Sequence, residues 1–153
     1  MDLKTTIKAF SESDVKATPG IEQQAMRRLV GTDLCPSERI RVTLASFEAG
    51  MKSPFHWFLI EACFYVVSGR GLVRDIEGKT HDVGPGSVVY VSPGIAASFE
   101  WEFTEPTKLL SIRGTTDPEK NIQFNIADKS KMESSIELDY LVKRGGTKLP
   151  SFY

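Results

Sequence analysis

From Phe55 to Val67 nearly every side chain is apolar or aromatic, and the run ends on Ser68-Gly69-Arg70-Gly71. Residues apolar on both faces of a strand must be covered on both faces. An interior covers one. A helix, an arm or a second subunit has to cover the other, which predicts a homodimer. The segments around this run alternate with period two. Ile40, Val42 and Leu44 share one face of the stretch ending at Phe47, and Arg41, Thr43 and Ala45 share the other. Val88 and Tyr90 oppose Val89 and Val91; Phe99, Trp101 and Phe103 oppose Glu100 and Glu102. Leu109, Ser111 and Arg113 share a face of the last regular segment. Turn signals at Glu48-Ala49-Gly50, Glu77-Gly78-Lys79 and Pro93-Gly94 separate these segments. Short alternating segments punctuated by glycine turns define an all-β domain.

A length of 153 residues is that of one domain. Its core is expected over about 34–115, with an N-terminal arm, 1–33, and a C-terminal extension, 116–153. The polar arm is expected to lie on the core or to cross to a partner. Residues 23–30 read as a short helix or a strand, and the strand is preferred. Beyond Thr115 the pattern fades. A short strand over 122–126 and a short helix over 131–140 fit what remains.

With 19 basic and 20 acidic residues the net charge is −1, which offers no attraction to nucleic acid or to an anionic membrane. No apolar run reaches membrane-spanning length. The first residues lack a signal-peptide core. Cys35 and Cys63 stand in unlike contexts without a CxxC, as expected of reduced thiols in a cytoplasmic protein. The only histidines are His56 and His81, too few for a histidine-rich metal site.

Two stretches resemble the two motifs of the cupin superfamily. In the first, Gly50, His56 and Gly69 stand at the family's spacing; in the second, Gly86 and Gly94 do. The resemblance spans about Arg39 to Arg113. It implies a single-domain antiparallel β-barrel or jelly roll of the RmlC-like type. It also marks what has changed. The family's second histidine falls on Phe58, its glutamate on Ala62 and its last histidine on Ala97. His56 alone of the four can coordinate a metal, which needs three or four converging donors. Glu61 is one residue out of phase, on the opposite face of a strand unless a bulge restores it. The expectation is a cupin with no metal and no cofactor in the usual site.

Such a cavity is more apolar than the family's, and Phe58, Ala62, Phe64, Ala97, Phe99 and Trp101 are its expected wall. Polar candidates are His56, Tyr90, Arg41 and Arg113. Metal-free members of the family that use a histidine base and a tyrosine acid supply a precedent for His56 and Tyr90. Each also has a plain structural reading, His56 as a satisfied barrel histidine and Tyr90 as a packing residue. Arg41 faces either the cavity or solvent, and solvent is preferred because unpaired buried arginine is rare. Four functions stay open: a protein holding a small apolar or aromatic molecule; a metal-independent isomerase, lyase or cyclase with His56 as base; a metal-dependent dioxygenase or decarboxylase with displaced ligands; and a dimerisation module with a filled interior.

Overall fold

Each alternating segment becomes a strand in the computed structural model, which describes residues 3–19, 24–117, 120 and 123–126. Among the described residues, eleven strands form two antiparallel sheets. The first holds β1 (Thr18–Pro19), β2 (Gln24–Val30), β3 (Arg41–Phe47), β10 (Thr107–Arg113), β5 (Ala62–Ser68) and β8 (Val88–Val91), in that order. The second holds β11 (Gln123–Ile126), β4 (Phe55–Phe58), β9 (Phe99–Phe103), β6 (Gly71–Asp75) and β7 (Thr80–Val83). This is the antiparallel jelly roll expected, built as two packed sheets rather than a hydrogen-bonded closed barrel. Short 3₁₀ turns at Glu12–Asp14 and Ile95–Ala97 are the helical elements among the described residues.

The long apolar run is not one strand. It makes β4 in one sheet, crosses through Leu59–Glu61, and makes β5 in the other. The expectation of two covered faces therefore divides. All four residues of β4 are buried. On β5 the inner Ala62, Phe64 and Val66 are buried, while the outer Tyr65 and Val67 are 44% and 46% exposed.

Register fixes which residues face inward. On β3 and β10 the facing pairs are Arg41–Arg113, Thr43–Ser111, Ala45–Leu109 and Phe47–Thr107. Pairing of β10 with β5 puts Ala62, Phe64 and Val66 on the same side, and pairing of β2 with β3 adds Gln24 and Met26. Phe99, Trp101 and Phe103 face them from β9. Interdigitation of these two inner faces is the core.

Residues 24–30 form a strand, as preferred over the helix; 21–23 lie outside the described residues. The arm lies on the outer face of the first sheet. Glu12 accepts a hydrogen bond from the Arg27 guanidinium at its carbonyl, 2.8 Å, and meets the Lys108 ammonium with its carboxylate, 3.3 Å. A short strand at Gln123–Ile126 pairs with β4. The helix expected over 131–140 lies outside the described residues.

Candidate functional site

A cavity of about 220 Å³ opens between the sheets. The rungs of β3 and β10 give it a gradient. Arg41 and Arg113 line one end, Thr43 and Ser111 the next rung, Ala45 and Leu109 the rung after that. Opposite them stand His56 and Phe58 of β4 and Trp101 of β9. Gln24 and Met26 of β2, Met51 and Ser53 of the loop before β4, and Gln123 of β11 also line it. Ser53 secures that loop to β9, since its amide donates to the Trp101 carbonyl and its Oγ accepts from the Trp101 amide at 2.7 Å.

His56 is 3% exposed. Its Nδ1 lies 2.7 Å from the Pro54 carbonyl oxygen. A carbonyl only accepts, so Nδ1 carries the proton and donates. The neutral ring then has its lone pair on Nε2. Burial pulls the pKa down to about 4, against the Pro54 hydrogen bond and with help from the Arg113 charge; Glu100 opposes the shift weakly. At neutral pH the ring is therefore an uncharged imidazole of fixed tautomer. Phe58 meets it edge-on at 5.4 Å between centroids, and Phe99 meets it tilted at 4.3 Å.

The Arg113 guanidinium sits 4.3 Å above the Phe58 ring, within cation–π range. Burial, then the nearby Arg41, lowers its pKa to about 10, which leaves it charged at neutral pH. Arg41 is shifted downward by burial and by Arg28 of β2. The solvent-facing reading preferred for Arg41 is thus corrected. Parity sets this outcome, because Arg41 shares its face with the buried Thr43, Ala45 and Phe47.

Of the other expected site residues, Phe58, Phe64 and Trp101 line this cavity. Phe99 touches the His56 ring and turns its other side to a second space of about 520 Å³ between β7 and β8. Ala62 is buried in the core without lining either space. Two placements differ from expectation. Ala97 does not begin the strand of Phe99 and Trp101; it ends the 3₁₀ turn Ile95–Ala97 and borders the second space. Tyr90 is neither packed in the core nor near His56. It lies on the outer face of β8, 61% exposed, opposite Cys63. His81, expected on the surface, is half-exposed there and 2.9 Å from the Asp75 carboxylate. Sequence reasoning did not single out Thr43 and Ser111, although they share faces with Arg41 and Arg113. Gln24 and Met26 were hidden by the ambiguous pattern of their segment, and Ser53 gave no signal.

The divalent metal typical of this fold does not fit the described residues. His56 is the one imidazole in the cavity, and its neighbours at the family's other ligand positions on β4 and β5 are Phe58 and Ala62. Glu61 is exposed in the loop between those strands. No group of three or more His, Cys, Asp or Glu side chains stands together among the described residues.

The fold and the site define the class. A model of the cupin domain matches residues 43–113, the stretch that holds β3 through β10. Those residues, just under half of the chain, match the cupin superfamily, and the fold around them is the cupin jelly roll. Solved structures with this fold include the polyketide cyclase RemF from Streptomyces resistomycificus. It matches with a TM-score of 0.64 and 22% identity over 89% of this chain and 99% of that one. Ectoine synthase from P. lautus matches at 0.62 and 14% identity, over 78% of this chain and 90% of that one. KdgF from Halomonas sp. matches at 0.61 and 14% identity, over 71% and 94%. At such identities the likeness is one of fold. No curated protein matches the sequence.

Proposed function

We propose that this cupin holds a small, largely apolar or aromatic molecule in the cavity beside His56. The observation that carries the reading is the cavity itself. It is concave, walled by Phe47, Phe58, Phe64 and Trp101, and supplied with a few polar groups at one end, which is the usual character of a small-molecule site. A purely structural module would have a filled interior. The names of RemF, a polyketide cyclase, and of ectoine synthase fit the same reading, since both are named for reactions on organic molecules. A thermal-shift screen of small aromatic compounds tests it. Compounds that raise the melting temperature of the native protein should lose that effect on Ala45→Phe, which fills the cavity. Stabilisation undiminished in that variant would place binding elsewhere and end the reading.

A second reading has its own observation. The Nδ1–Pro54 hydrogen bond leaves a buried, neutral imidazole with a free lone pair, as a general base requires. On this reading the protein is a metal-independent isomerase, lyase or cyclase, and His56 takes a proton from the bound molecule. Tyr90 has no part in it, given its position. His56→Gln should bind ligand with near-native affinity and turn nothing over. The chain is also read as a homodimer, supported by the apolar outer face of β5 and β8.

A further inference from the structure

The cavity has a charged end that an apolar ligand alone does not use. Arg41 and Arg113 are direct cross-strand partners on β3 and β10, and both face inward. Like charges placed opposite one another on a sheet repel. Arg28 of β2, paired with Thr43 but exposed and outside the cavity lining, adds a third positive charge that acts on Arg41. Among the described residues no Asp or Glu lines this cavity. The chain as a whole carries a net charge of −1, so the positive end is a local arrangement and not a reflection of composition. The Arg113 guanidinium is further packed on Phe58, 4.3 Å from the ring centroid. Thr43 and Ser111, one rung deeper, add two hydroxyls between the arginines and the aromatic wall.

We propose that the ligand is an anion, a molecule bearing a carboxylate or a similar planar oxyanion bound across Arg41 and Arg113. Its apolar or aromatic body then reaches past Thr43 and Ser111 to Phe64 and Trp101. This rests on the binding reading above and names the class of molecule that the site takes. Two guanidinium groups on adjacent strands match the two oxygens of a carboxylate, and charge-assisted bonds in a partly dry site are the strong ones. The same placement sets the anionic group near His56, because both line this cavity and Phe58 lies against both, 4.3 Å from the Arg113 guanidinium and 5.4 Å between ring centroids from His56. A bound carboxylate offsets the Arg113 charge and raises the basicity of Nε2. The proton His56 can reach is therefore on a carbon or heteroatom close to the carboxylate, not at the far end of the molecule.

The test compares charge at constant shape. Benzoate, trans-cinnamate, 2-naphthoate and octanoate are each titrated against the native protein alongside their primary amides, with binding read by chemical-shift changes in two-dimensional NMR. At least one carboxylate is expected to bind about tenfold or more tighter than its amide. Arg41→Gln and Arg113→Gln should each bring that acid to within about threefold of its amide, the acid losing much more affinity than the amide. Arg41 is only half-buried, so its variant keeps the test open should Arg113→Gln fold poorly. Amides that bind as tightly as their acids would overturn the anion assignment and leave the apolar cavity reading standing. Failure of every acid and amide to bind would overturn both.

Discussion

His56 shows how one environment decides what a side chain can do. The sequence offers an imidazole in an apolar run. Burial removes its charge at neutral pH, and one carbonyl selects its tautomer. The linkage to stability follows in sign. Its pKa falls from 6.5 unfolded to about 4 folded. Above pH 6.5 neither state binds the proton there, and the folded state loses nothing. As pH falls from about 6.5 toward 4 the unfolded chain gains a proton that the folded one refuses, so stability drops. The full loss for this group is about 3 kcal/mol. Denaturant unfolding at pH 7.5 and pH 4.5 should show a decline of that order in the native protein and a clearly smaller one in His56→Gln. Equal declines would mean that His56 is protonated as readily in the fold as outside it.

At the scale of elements, register did what composition could not. The two glycine-marked motifs and the alternating runs made the strands legible, because period two and turn chemistry are local properties. Facing was legible wherever one side of a strand was plainly apolar, as at Phe99, Trp101 and Phe103. It was not legible on β3, where both faces carry apolar residues, and Arg41 was read outward because unpaired buried arginine is rare. Tyr90 and Ala97 were misplaced for a related one. Parity on β8 gives two faces without saying which is inner, and a 3₁₀ turn before β9 breaks the strand pattern that Ala97 was assumed to join. The turn after β5 can be tested directly. Gly69 has φ 89°, and a Cβ there would collide with the Pro106 carbonyl and Thr107. Gly69→Ala should therefore cost roughly 2–4 kcal/mol in denaturant unfolding, beyond the ordinary cost of a glycine change. A loss under about 0.5 kcal/mol would show that the loop before β10 yields easily.

For the whole molecule, two surfaces divide the work. The inner one holds the cavity, with its arginine end and aromatic wall. The outer face of the first sheet is covered by the arm near β2 and β10, through Glu12, and is open on β5 and β8. There Tyr65, Val67, Val88 and Tyr90 are between 44% and 63% exposed. A second copy covering that face is the expected assembly, and light scattering should return twice the chain mass of 17.0 kDa. Val88→Glu should shift it to the monomer; a native monomer at every concentration would dismiss the dimer. No helix among the described residues is long and apolar enough to cross a membrane. The account of the site turns on a neutral, buried imidazole with Nδ1 protonated at the cavity wall. Long-range proton–nitrogen NMR on protein labelled with ¹⁵N-histidine, titrated from pH 8 to pH 3.5, reads this most directly. The prediction is that His56 shows a protonated Nδ1 and a bare Nε2 at pH 7, and gains its second proton only near pH 4. A ring protonated on Nε2 at pH 7, or one titrating at 6.5 or above, would contradict it.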